Sequence, residues 1–185
     1  SAFTGVLRIA GSLSNDVIMG GSGPDIIYGL GGADRLTGNG GADQFRLAKF
    51  YNATDTITDF IKGTDKVGLN EFDFSATTAT SAGAPLLVAD YVDNRTGITS
   101  IGNADAKKVI ELQASLDSGQ IQSDNGAAVE AYVLVHNTTS GKAELWYDSN
   151  WSDAGNRSHI VTFDNVVDLA GVKGFTSSDF VEYSF

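Results

Sequence analysis

Four aspartates stand nine residues apart near the start of this chain: Asp16, Asp25, Asp34 and Asp43. Each follows a glycine-rich stretch and is followed two places later by an apolar side chain, Ile18, Ile27, Leu36 or Phe45. The chemistry open to such a series is the holding of hard cations. A carboxylate offers a hard anionic oxygen, and glycine lets the backbone bend until its carbonyls converge. A cation that takes six to eight oxygen ligands uses both. Gly11, Gly20, Gly29 and Gly38 open the four units, and Gly23, Gly32 and Gly41 fill the fourth position in three of them. These last three join the four aspartates as candidate site residues. The preceding "AFTGVLRIA" keeps Gly5 and Ile9 in phase but has Leu7 where aspartate belongs, and reads as a worn repeat.

The elements that position such a series follow from its period. The last three residues of a unit suit a very short strand whose eighth position points inward. If two units make one coil, loops two units apart stack on the same edge. Asp16 then meets Asp34, and Asp25 meets Asp43. Stacked strands lie ~4.8 Å apart. Carboxylates at that spacing repel by roughly 1 kcal/mol in water and several-fold more at an effective dielectric near 20. The thin apolar interior offsets little of this, so the bare coil is expected to be loose and the cation-filled coil rigid. A flexible glycine linker would not keep four Asp-x-apolar triplets in phase. A phosphate loop would need a following Lys-Ser/Thr, which "GNGGAD" lacks. A metal-free solenoid would be expected to carry Asn, Thr or apolar stacks in place of bare aspartates.

Downstream, "DTITDFIKGTDKVGL" keeps the Asp-then-apolar habit at broken spacing through Asp55, Asp59 and Asp65. These read as capping turns closing the end of a solenoid. Their carboxylates either serve a last cation or stand as solvated turn residues. Residues 75–97 suggest loop with a short strand at Leu86–Val88, and 105–117 fits a helix or a strand equally. Strand composition returns in 127–136, 142–148 and 158–163, the first two joined by a hairpin turn, "NTTSG". "FTSSDF" suggests a brief capped helical turn. The expected fold class is all-β: a short parallel β-roll (β-solenoid) with capping turns over residues 1–74, then a β-rich region over 75–185 with a small antiparallel β-sheet.

The formal net charge of −11 makes nucleic acid and anionic membranes poor partners and cations good ones. With no cysteine, neither a disulfide framework nor a thiolate site is available. No apolar run reaches the ~20 residues of a membrane span. The repeat already under way at the first residues suggests a piece of a longer protein, monomeric as a piece.

The nonapeptide pattern G-G-x-G-x-D-x-apolar-x over residues 11–46 resembles the parallel β-roll of repeats-in-toxin (RTX) proteins. "DTITDFIKGTDKVGL" is similar to the segment that follows the roll in type I secreted proteins. "NTTSGKAELWYDSNWSDAGNRSHIVTFDNV" resembles their C-terminal region, where a hairpin leads into a Tyr-Asp-x-Asp-Gly-x-Gly turn. The resemblance implies Ca2+ as the cation, bound at Asp16, Asp25, Asp34 and Asp43. It implies a bacterial protein exported through a type I secretion apparatus and found outside the cell or at its surface. Its uncleaved C-terminal signal would lie in "DFVEYSF", at Asp179, Phe180, Val181 and Phe185, although this segment also suits an edge strand. This sequence departs from the family pattern at Ser12, Ser14 and Leu30. It departs again at Asn150 and Trp151, so no ion is placed at Asp148 or Asp153.

Two other functions compete. Catalysis would have to draw on His136 or His159, and Ser158 beside His159 on a strand points to the opposite face. No enzymatic role is therefore expected for this stretch. The other is a carbohydrate- or surface-binding module, as in adhesin termini or alginate-epimerase modules, using Trp146, Tyr147 and Trp151. Against it stands the simpler expectation that these aromatics form the core of the small sheet.

Overall fold

Glycine turns that interrupt the chain every few residues leave room for only the shortest strands. In the computed structural model, which describes residues 5–47, 53–70, 91–155 and 157–183, β1 is Arg8–Ala10, β2 Val17–Met19, β3 Ile26–Tyr28 and β4 Arg35–Thr37. β5 (Gln44–Leu47), β6 (Asp55–Ile57) and β7 (Lys66–Asn70) follow. Odd-numbered strands stack in one parallel sheet and even-numbered strands in another, so two nonapeptides make one coil. Register places Ile9, Ile27, Phe45 and Val67 in one inward column. Ile18, Leu36 and Ile57 form the other. Ile27, Leu36, Phe45, Ile57 and Val67 are fully buried. Full burial of such side chains is worth about 1.5–3 kcal/mol each. Val17 and Met19, either side of Ile18, point out and are exposed, as a period of two requires.

The second half builds onto the roll. β8 (Tyr91–Arg95), β9 (Val109–Leu112), β10 (Ala131–Asn137), β11 (Lys142–Asp148) and β12 (Ser158–Phe163) extend the even sheet to eight strands. The hairpin expected at "NTTSG" joins β10 to β11, with Gly141 at φ +70°. β12 then lies parallel to β6, pairing Val161 with Asp55 and Phe163 with Ile57. The last strand, β13 (Phe180–Tyr183), lies parallel to β7 and completes a five-stranded odd sheet. β10, β11 and β12 form the expected antiparallel meander, but the sheet is mixed, because β8, β9 and β10 run parallel. The segment 105–117 resolves as strand β9. All four of its residues are buried. Burial on both faces puts Val109, Ile110 and Leu112 inside together with Glu111, so no alternation of apolar and polar residues marks the strand in the sequence. The strand expected at Leu86–Val88 lies outside the described residues.

Two short helices, α1 (Ser118–Ser123) and α2 (Leu169–Val172), pack on these sheets. Asp117 caps α1 and Asp168 caps α2, each accepting a backbone N–H of the first turn. One core cluster runs from Ile18 through the roll to Phe163, Phe175 and Phe180. Phe60, Phe163 and Phe175 meet with ring centroids 5.2–5.4 Å apart and plug the far end of the roll. A second cluster, with Ile121, Val133 and Trp151, covers the opposite face of the eight-stranded sheet.

Candidate metal centre

Three of the four repeat aspartates, Asp25, Asp34 and Asp43, turn their side chains along the stack. Asp34 Oδ1 accepts the Asp16 backbone N–H at 2.9 Å, and Asp43 Oδ1 accepts that of Asp25 at 2.8 Å. These are the pairs the nine-residue phase requires. The structure prolongs both ladders. Asp55 Oδ1 accepts from Asp34 and Asp65 Oδ1 from Asp43, each at 3.0 Å. At the other end Asp25 Oδ1 accepts from Leu7, the residue of the worn repeat that stands in the aspartate position. One edge therefore carries Asp16, Asp34 and Asp55, the other Asp25, Asp43 and Asp65. All but Asp16 are buried. Asp59 stands outside both ladders and receives the backbone N–H groups of Gly38 and Asn39 at 2.9 and 2.8 Å.

The glycines are what let the loops approach. A Cβ on Gly41 would lie 2.3 Å from the Gly23 carbonyl oxygen, and one on Gly32 would lie 2.7 Å from that of Ser14. Both residues also sit at φ values that L side chains rarely adopt, +121° and +103°. Gly23 thus contributes its carbonyl to the contact between coils.

The second oxygens differ along the stack. Asp16 Oδ2 accepts from Ser12 N at 2.6 Å, and Asp25 Oδ2 accepts from Gly21 N at 2.5 Å. In the third unit Leu30 holds the second position at φ +74°, and Asp34 Oδ2 is buried with no hydrogen-bond partner. A buried, unpartnered carboxylate oxygen is costly. Electrostatics agree. Burial, and then the like charges of Asp65, Asp25 and Asp59, push Asp43 up to about 6 against the Asp25 N–H it accepts. Burial, followed by the Asp34 charge, pushes Asp55 up to about 7. Asp34 and Asp65 are raised as well, with burial the largest cause in each.

Hard oxygens, an orphaned carboxylate and a surplus of buried negative charge fit a hard divalent cation. Among the described residues no three carboxylate or imidazole side chains converge. A cation in either ladder would therefore take most of its oxygens from the loop backbone. Residues 11–45 match the family model of the RTX calcium-binding nonapeptide repeat, in four copies. This stretch is an RTX repeat block. No curated protein matches the chain. The match bears out the nonapeptide phase of the RTX roll and the parallel β-roll expected from it, and supports Ca2+ as its ion.

Other candidate residues fall outside the RTX ladders. Asp179, Phe180 and Val181 are buried, and Phe185 lies outside the described residues. Asp179 ties the turn before β13 to the roll, accepting from Gly63 N at 2.5 Å and from Thr176 N at 2.7 Å. Trp146, Tyr147 and Trp151 are core residues rather than an exposed platform for sugars. His136 bonds Ser115 through Nδ1 at 2.8 Å. His159 stacks on Trp146 with ring centroids 4.4 Å apart. No helix among the described residues is long and apolar enough to cross a membrane. Sequence reasoning missed the carboxylate Asp164, which bridges Arg35 of β4 to Lys142 of β11 and ties the RTX roll to the C-terminal meander. Only the fold brings residues so far apart in sequence together.

Proposed function

We propose that this chain is the calcium-switched end of a larger secreted protein. The observation that carries the reading is the pair of buried aspartate ladders, with Asp34 Oδ2 unpartnered and Asp43 and Asp55 raised to about 6 and about 7. Asp16, Asp34 and Asp55 on one edge, and Asp25, Asp43 and Asp65 on the other, hold the ions together with backbone carbonyls of the loops around Gly23, Gly32 and Gly41. Asp59 caps the last full loop beside them. Calcium supplies the positive charge that these stacked carboxylates lack. Inside a cell, where free calcium is scarce, repulsion and orphaned oxygens keep the roll loose. That state can be threaded through a type I export channel. Outside, calcium at the ~10⁻⁴–10⁻³ M typical of extracellular modules favours the folded coil. Each site adds RT ln(1 + [L]/Kd) to its stability.

The terminal segment with Asp179, Phe180, Val181 and Phe185 serves as the export signal in this reading. Burial of Phe180 and Val181 in β13 supports the timing, since such a signal is accessible only before folding and is withdrawn after it. No reaction is assigned to the chain.

Asp34→Asn tests the site. Asparagine keeps an oxygen for the Asp16 N–H but removes the charge. Calorimetric titration of the metal-stripped variant should show calcium affinity reduced about tenfold or more, with magnesium as the control. Unchanged affinity would remove Asp34 from the calcium site.

A further inference from the structure

The second concentration of oxygen ligands lies at the other end of the molecule, in the turn between β11 and β12. Its centre is the guanidinium of Arg157, whose side chain is fully buried. Arg157 Nη2 donates to the carbonyls of Asp124, Trp151 and Asp153 at 2.5, 3.4 and 3.2 Å. Nη1 donates to the Ile121 carbonyl, and Nε reaches Asp148 Oδ2 at 3.4 Å. The indole of Trp151 covers one face, with its ring centroid 4.5 Å from the guanidinium carbon. The Asp124 and Ile121 carbonyls belong to the last turn and C-cap of α1, where a positive charge is favoured. Asp148 also receives the Asn150 N–H at 2.9 Å, which bends the turn around the same centre.

Four backbone carbonyls, one carboxylate and a positive charge among them make up the composition of a hard-cation site. We infer that this turn is a cation site whose cation is the protein's own Arg157, which joins α1 to the β11–β12 turn without a metal. The inference is independent of the calcium reading, since none of these groups touches the aspartate ladders. A guanidinium suits the role because it stays charged when buried and carries five donors in a fixed plane. Burial lowers Arg157 and raises Asp148, each opposed by the other's charge, and a guanidinium still keeps its proton. A metal ion would need more oxygen charge than one carboxylate supplies. Asn150 and Trp151 add none, and Asp153 offers its carbonyl while its carboxylate turns to Asn150 Nδ2 at 3.2 Å. The junction of α1 with the β11–β12 turn would then need no calcium to hold it.

The test uses the full chain in saturating calcium. Arg157→Met keeps the length and the packing on Trp151 but removes the charge and all five donors. Its melting temperature should fall by about 10 °C, because buried Asp148 loses its counter-charge and the carbonyls of Ile121, Asp124, Trp151 and Asp153 lose the donor that gathers them. Arg157→Lys, which keeps a charge without the fork, should fall between Arg157→Met and the unsubstituted protein. Asp148→Asn should bind the same number of calcium ions as the unsubstituted protein in equilibrium dialysis. A melting temperature for Arg157→Met within about 2 °C of the unsubstituted protein would show that the guanidinium does not hold the turn. One calcium ion fewer in Asp148→Asn would show that a metal does.

Discussion

Gly41→Ala will unfold this protein far more readily than Gly63→Ala, although both glycines have positive φ, +121° and +77°. At Gly63 a methyl group meets nothing within 4 Å, so the substitution carries only the backbone penalty, about 1–2 kcal/mol. At Gly41 the same methyl would lie 2.3 Å from the Gly23 carbonyl oxygen and 2.8 Å from the Pro24 nitrogen. These are backbone atoms of the neighbouring coil, which can yield only if the coils separate. Separation would weaken the Asp25 N–H bond to Asp43 and draw apart the carbonyls proposed to hold the ion. The expected loss is about 3 kcal/mol or more, a large share of the ~5–15 kcal/mol typical of a domain. At ~2–4 °C per kcal/mol this amounts to about 10 °C, against a few degrees for Gly63→Ala. Thermal unfolding in saturating calcium measures both. Equal losses would mean that the coils do not stack through these backbones.

The second large effect is a reversal of pH dependence by calcium. Asp43 and Asp55 have folded-state values of about 6 and about 7, above the ~3.9 of an unfolded chain. As pH rises from about 4 to about 7, the unfolded chain has already shed protons that the folded chain still holds. The metal-free protein therefore loses stability across this window, by an amount on the order of a few kcal/mol. Among the described residues, two lowered carboxylates act the other way below about pH 4. His159, lowered chiefly by burial, does so below about pH 6.5, a single group against the raised aspartates. Burial raises Asp105, but its bonds to Arg95 and the Gly102 N–H outweigh this and lower it, while Lys142 and Arg35 lower Asp164. In the proposed sites calcium needs these carboxylates ionised, so its affinity should rise through the same window. The stripped protein should melt higher at pH 5 than at pH 7.5, and the calcium-saturated protein lower. Asp55→Asn should flatten the upper part of the metal-free slope, between about pH 6 and 7. A metal-free melting temperature that rises from pH 5 to 7.5 would contradict the buried ladder.

Much of the roll is legible in the sequence because its information is local and periodic. Gly11, Gly20, Gly29 and Gly38 fix the phase, and the phase fixes which aspartates meet and which apolar residues turn inward. The phase fails at its end. Asp55 and Asp65 lie 21 and 22 residues beyond their partners instead of 18, so only the fold shows that they prolong the ladders. The parallel docking of β12 on β6 and of β13 on β7 joins segments about a hundred residues apart, and no repeat encodes such pairing. The Arg157 cluster is invisible in the sequence for a different reason. Most of its ligands are backbone carbonyls, which every residue possesses, and residue type carries no trace of them. The aromatic residues of β11 and its turn can be read as a surface or a core, and burial of Trp151 decides for the core.

Calcium, on the proposed function, completes this roll. Far-UV circular dichroism of the metal-stripped chain, followed through a calcium titration with magnesium as control, tests it most directly. The expected result is a cooperative gain of β-structure at ~10⁻⁴–10⁻³ M calcium and none with magnesium. A stripped chain that already shows its full β-signal and does not respond to calcium would contradict it.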